Sequence, residues 1–273
     1  MTSSNHRKRA ITGLLLAVCL LVSIAAGGNL VLMLVLVASS FALWEFFSMY
    51  WPGTQHLGRK IVGLAMGGAL VVSQTFGSQW TLLIMAMIVS LLSLGFLVDF
   101  GGGNSHARIE HHAPLLQGLV YIPLVLQLAL SLSQSEQCLV MSATVATDAG
   151  AYYAGTHLGK RKIWPVVSPK KTWAGFAGGI GLCVSVCVAY GMLGGLFVWS
   201  VPDLPLWAWG CLGLLLGMTA QFGDFFESAL KRSLNVKDSG IVLPGHGGML
   251  DRIDSLLFVL PAYFFVRLTA GSG

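Results

Sequence analysis

Asp224 and Glu227 stand three residues apart, and Asp251 and Asp254 repeat that spacing. On a helix, residues three or four apart share a face, so each pair presents two carboxylates together, with Ser228 and Lys231 close to the first pair. Lys231, Arg232, Lys237 and Arg252 crowd into the same stretch, with Asp238, His246 and the glycines Gly240, Gly245, Gly247 and Gly248. Oxygen ligands without thiolates indicate Mg²⁺ rather than zinc. Cations and glycine backbone, which can approach a ligand closely, suit phosphate oxygens. Charged residues make up only 10% of the chain. The plain alternative is a solvated helix end, which seldom needs so many carboxylates and cations beside a membrane-length apolar run.

Two further constellations are polar. Asp148 lies inside an apolar run, in the segment TDAGAYYAG. A carboxylate embedded in a membrane span costs about 2.5–3.5 kcal/mol on insertion scales and is a functional candidate by default. The alternative is an Asp that hydrogen-bonds a neighbouring helix to fix packing. The second constellation is Ser168-Pro169-Lys170-Lys171-Thr172-Trp173. Ser168 reads as an N-cap with Pro169 in the first helical turn. Such a terminus turns free backbone N–H groups toward an anion, and Lys170, Lys171 and the Thr172 hydroxyl add charge and donors. The same lysines also fit a simple topology-setting flank.

The elements that must position these groups are apolar. The chain has 273 residues and 55% hydrophobic content, with a mean hydropathy of +0.75, outside the range of ordinary soluble domains. Nine runs approach the roughly 20 residues that a helix needs to span a bilayer. They are Ile11–Ala26, Asn29–Phe47, Val62–Phe76, Thr81–Phe100, Pro114–Ser131, Cys138–Gly155, Phe176–Val201, Leu206–Phe222 and Ser255–Ala270. They are continuous rather than alternating, which favours helices over a barrel. Arg7, Lys8 and Arg9 before the first run also fit a signal peptide, but the second run follows at once, which favours a retained helical hairpin. Pairs such as Gly63/Gly67, Gly191/Gly195 and Gly213/Gly217 let helices pack closely. The five cysteines have no CxxC spacing, so neither a zinc site nor a disulfide framework is expected.

Every Lys and Arg except Arg267 falls in connections on one side of these nine runs. Positive-inside bias then puts the N-terminus and the large polar loops in the cytoplasm, with the C-terminus opposite. The expected fold is all-α: a polytopic integral membrane protein of about nine transmembrane helices with a polar cytoplasmic-side active site. It is expected to be one membrane domain, 1–273, in which 1–135 supplies five helices and 136–273 four catalytic helices with their loops. The net charge of +5 makes anionic lipid headgroups or a polyanionic nucleotide natural partners.

The run from Ser228 to Asp254 resembles the signature of the phosphatidate cytidylyltransferase family, the CDP-diacylglycerol synthases. The resemblance is carried without a gap by Ser228, Lys231-Arg232, Lys237-Asp238, Gly240, Pro244, His246-Gly247-Gly248, Asp251-Arg252 and Asp254. DAGAYYAG, with Asp148 and Tyr152, and SPKKTW resemble two further family blocks in the expected order. One position departs: Ala174 stands where relatives commonly have Glu.

The resemblance implies transfer of a cytidylyl group from CTP to phosphatidate, giving CDP-diacylglycerol and pyrophosphate by Mg²⁺-dependent in-line attack at the α-phosphate. The lipid phosphomonoester, with a second ionisation near ~6, needs no strong general base. Asp148, Asp224, Lys231, Arg232 and Asp251 are then the catalytic candidates. Asp224 and Asp251 would bind Mg²⁺, supported by Asp148, Asp254 and Glu227, with a second cation left open. Ser168, Lys170, Lys171, Thr172, Ser228, Lys237, Asp238, His246, Gly247, Gly248 and Arg252 are the substrate-binding candidates. Implied partners are CTP, phosphatidate and membrane lipids, with no nucleic acid and a homodimer left open; the implied location is a bacterial inner membrane. Four other readings remain. A CTP-dependent lipid-alcohol kinase would release CDP rather than pyrophosphate. A CDP-alcohol phosphotransferase would need an Asp array this chain lacks. An anionic-solute transporter would favour inverted repeats, and none is evident. A catalytically silent relative is raised by Ala174.

Overall fold

A backbone in hydrocarbon must satisfy its N–H and C=O groups within its own segment, so long apolar runs coil. In the computed structural model, which describes residues 3–54, 56–101, 112–194, 204–240 and 247–270, each apolar run is helical over most of its described length. Among the described residues there is no strand, only an isolated bridge between Lys162 and Thr172. The chain divides into two compact units: Met1–Ser131 with Asp238–Leu250, and Leu132–Lys237 with Asp251–Gly273.

The first unit carries α1 (Ser3–Ala26), α2 (Gly28–Tyr50), α3 (Leu57–Ser73), α4 (Ser78–Gly101), α5 (Ala113–Tyr121) and α6 (Pro123–Leu126), closed by a 3-10 turn over Gln127–Ser131. Its core is built from Leu43, Phe46, Phe47, Leu70, Leu119 and Ile122, all nearly inaccessible. Gly63 and Gly67 face Phe47 and Leu43 so closely that a Cβ at either would collide with those side chains. The small-residue spacing thus does what it predicts and lets α2 and α3 approach.

The second unit carries α7 (Gln134–Leu158), α8 (Trp173–Gly194), α9 (Leu206–Ser233), the single turn α10 (Leu250–Ile253), whose first residue belongs to the other unit, and α11 (Leu256–Thr269). Helix α7 opens with a capping box, in which Ser133 Oγ accepts from Glu136 N at 3.3 Å and Ser133 N donates to Glu136 Oε2 at 2.7 Å. Glu136 Oε1 also accepts from Tyr263 Oη at 3.0 Å and lies 3.0 Å from Arg267 Nε. Arg267, the exception to the charge sorting, is therefore neutralised by a buried carboxylate.

Among the described residues, five segments are long and apolar enough to cross a membrane: Gly28–Tyr50, Ser78–Val98, Ala113–Ser131, Trp173–Gly194 and Leu206–Ser233. Gly13–Ala26 is a shorter apolar helix, α3 and α11 have 17 and 14 residues, and α7 carries Glu136 and Asp148. The protein is thus an all-α, polytopic membrane protein.

Candidate functional site

Within the second unit a cavity of about 470 Å³ collects polar groups from four elements. Helix α7 contributes Asp148, Tyr152 and Thr156, which share one face by their four-residue spacing. The loop before α8 contributes Lys170, Lys171 and Thr172; α9 contributes Gln221, Asp224, Glu227 and Lys231; Asp251, Arg252 and Asp254 follow from α10 and the turn after it. Helix α9 continues past its apolar part to Ser233, which carries its carboxylates on one rigid rod. Gln221 Nε2 donates to Phe176 O at 2.8 Å and pins α9 to α8.

The loop is shaped differently from the expected helix start. Helix α8 begins at Trp173, not at Pro169. Thr172 acts as the cap: its Oγ1 accepts from Gly175 N at 3.2 Å and its carbonyl from Phe176 N at 2.9 Å. Ser168 to Lys171 instead form a turn, with Lys171 N donating to Ser168 O at 3.4 Å. Pro169 suits the second position of such a turn as well as it suits a first helical turn. Ile163 N to Lys171 O (3.2 Å) and Trp173 N to Arg161 O (3.0 Å) tie the loop back on itself, and Trp164 packs edge-on against Phe225 at 4.9 Å. This frame aims Lys171 into the cavity.

Two lysines sit among the acids. Lys171 Nζ lies 2.6 Å from Asp224 Oδ2 and 3.9 Å from the centroid of the Phe225 ring. Lys231 Nζ lies 2.5 Å from both Glu227 Oε2 and Asp251 Oδ1. Ser228 Oγ donates to Asp224 Oδ1 at 3.4 Å. Asp254, in the turn between α10 and α11, is driven up to about 7, first by burial and then by the charge of Asp224; Ser255 N, which donates to it at 2.7 Å, opposes the rise.

The donor set fits a hard divalent ion. It is all oxygen, and one Glu227 oxygen is buried without a hydrogen-bond partner. Among the described residues no three His, Cys, Asp or Glu side chains are grouped to hold a metal. An ion here would use one or two carboxylates and complete its shell with phosphate or water oxygens, the usual habit of Mg²⁺.

Of the sequence candidates, Asp148, Lys170, Lys171, Thr172, Asp224, Glu227, Lys231, Asp251, Arg252 and Asp254 line this cavity. Ser168, Ser228, Arg232 and Lys237 are not among its lining residues; Arg232 and Lys237 are exposed. Asp251 and Asp254 do not open one helix as expected: α10 is a single turn, and Asp254 falls between it and α11. Asp238, Gly247 and Gly248 belong to the first unit, and His246 lies outside the described residues. Sequence reading missed Thr156, Gln221 and Glu45. Glu45, 2% exposed, accepts from Ser239 Oγ at 3.1 Å, Met249 N at 3.0 Å and Leu250 N at 2.9 Å. The signal was available: like Asp148, it is an acid inside an apolar run.

Residues 7–269 match the sequence profile of the cytidylyltransferase family, and the chain belongs to that family. A protein named phosphatidate cytidylyltransferase from Bacillus subtilis strain 168 is 48% identical over 121 residues, 44% of this chain and 43% of that one. One of the same name from Staphylococcus aureus strain COL is 51% identical over 117 residues, 42% of each chain. The chain thus spans less than half the length of these curated relatives in the matched alignments.

Proposed function

We propose that this protein transfers the cytidylyl group of CTP to phosphatidate, with Mg²⁺, at the cavity between α7, α8, α9 and α10. The observation that carries the reading is the concentration of Lys170, Lys171, Lys231 and Arg252 with Asp148, Asp224, Glu227, Asp251 and Asp254 around one opening in a membrane protein. A triphosphate and a phosphomonoester need cations, a divalent ion needs carboxylates, and a lipid substrate needs an opening among apolar helices.

A lipid phosphate oxygen would attack the α-phosphorus of CTP; the new P–O bond forms as the bond to the β-phosphate oxygen breaks, and pyrophosphate leaves with that electron pair. Phosphoryl-type transfers of this kind are catalysed by positioning and charge neutralisation. Lys170 and Lys171 would hold phosphate oxygens from the loop side, Lys231 and Arg252 from the side of α9 and α10. Asp224 and Asp251, supported by Asp148, Glu227 and Asp254, would hold Mg²⁺, which when bound polarises the α-phosphate and balances the leaving pyrophosphate. Lys171 and Lys231 rest on the carboxylates assigned to the ion, so loading requires both ammonium groups to pass from carboxylate to phosphate. The basic loops and the cavity would face the cytoplasm of a bacterial inner membrane, with the C-terminus opposite.

The decisive assay incubates purified protein with Mg²⁺, phosphatidate and each of the four ribonucleoside triphosphates. CTP-selective release of pyrophosphate with formation of a CDP-lipid is expected. Release of CDP with a phosphorylated lipid alcohol would indicate a kinase, and no turnover of any triphosphate would end the catalytic reading.

A further inference from the structure

We infer that Glu45 is a positioning residue that grips Ser239 and the Met249–Leu250 backbone and so fixes the chain leading into Asp251. Glu45 sits in α2, inside a segment apolar enough to cross a membrane, and is 2% exposed. A carboxylate there is expensive unless its lone pairs are satisfied. The three donors among the described residues lie nearly two hundred residues later in the chain: Ser239 Oγ, Met249 N and Leu250 N. Both carboxylate oxygens are used, Oε1 by Met249 and Oε2 by Ser239 and Leu250.

Two neighbouring glycines keep this grip possible. A Cβ on Gly240 would come within 2.5–2.7 Å of the Glu45 carboxyl group, and one on Gly248 within 2.5 Å of Glu45 Oε2. Such separations are far inside van der Waals contact, so only glycine lets the backbone lie against the carboxylate. Two glycines and a serine are therefore read by one acid. Leu250 is also the first residue of the single turn α10. Holding Met249 N and Leu250 N satisfies backbone donors that a helix start leaves unpaired. Asp251 is the next residue in the chain, so the Leu250 backbone sets where its Cα begins.

Its effect on turnover rests on the cytidylyl-transfer reading, in which Asp251 holds the divalent ion; the grip itself does not. In Glu45→Ala the backbone before Asp251 loses its anchor. Turnover at saturating CTP and phosphatidate is expected to fall about 100-fold, the scale of an ångström misplacement, and the Mg²⁺ concentration for half-maximal rate to rise. Glu45→Gln, which keeps the shape and one acceptor, is expected to show the same shifts at about a tenfold loss. Ser239→Ala, deleting one donor, should raise the Mg²⁺ requirement about threefold. In all three, hydrogen exchange at the Met249 and Leu250 amides should quicken while amides within α9 stay as protected as in wild type. Should Glu45→Ala fail to fold, the other two variants decide the matter by the same readouts.

Wild-type Mg²⁺ dependence and wild-type exchange at Met249 and Leu250 would overturn the inference. So would a loss of turnover accompanied by faster exchange throughout α2 and α9, which is the mark of a merely structural residue. If the unaltered protein turns over no CTP at all, the functional reading fails while the exchange measurement still decides whether Glu45 holds Met249 and Leu250.

Discussion

Two kinds of acid occur in this protein, and they differ in what answers them. Glu45 is met by two backbone N–H groups and a serine hydroxyl, and Glu136 by a capping box, Tyr263 and Arg267. Most of those donors are backbone or short side chains whose position the fold already sets. Asp224, Glu227 and Asp251 are met instead by Lys171 and Lys231, whose ammonium groups ride on four-carbon stems and can change partner at little cost in covalent geometry. Fixed donors make a structural acid, and exchangeable donors make an acid that a ligand can claim. That contrast, more than burial, separates the carboxylates that build this molecule from those proposed to work in it.

The largest effects should come from the exchangeable set. Asp224→Asn and Asp251→Asn keep size but remove charge; each is expected to lower Mg²⁺-dependent pyrophosphate release by at least about 10³-fold, as loss of a group that orients and neutralises the transferred phosphate would, with membrane insertion unchanged. Near-normal turnover in either would erase the distinction. Lys231→Ala should act more mildly. Losing one charge-assisted phosphate contact, worth about 1.5–3 kcal/mol, lowers the rate at limiting CTP and phosphatidate roughly 10- to 100-fold; an unchanged rate would remove Lys231 from the site. The smallest effect on catalysis should come from the fixed set. Glu136→Gln is expected to cost about 1–3 kcal/mol of stability through its bonds to Tyr263 and Arg267, seen as a lower unfolding temperature in detergent, with the turnover of surviving protein unaltered. A catalytic defect without a thermal one would invert the comparison.

Much of this was legible beforehand. The apolar runs became helices because hydrocarbon leaves a backbone no other partner, and the three- and four-residue spacings of α9 placed Asp224, Glu227, Ser228 and Lys231 as a helix must. Local competition was less legible. Ser168-Pro169 fits the start of a helix and the first half of a turn equally well, and only the hydrogen bonds of Thr172 select the second. The break between Ile253 and Leu256 that separates Asp251 from Asp254 has no sequence marker such as glycine or proline. Glu45 shows a different limit. Its placement in an apolar run was a signal the sequence reading passed over, and its partners lie at the far end of the chain, where no periodicity points back to it.

The resting ammonium–carboxylate contacts have an operational meaning under the proposed reading. A lone divalent ion entering this opening would meet two lysines already seated on its ligands, and a lone triphosphate would meet a ring of acids. Only when opposite charges arrive together does neither incur repulsion, so the chamber should prefer its nucleotide already chelated and resist filling by halves.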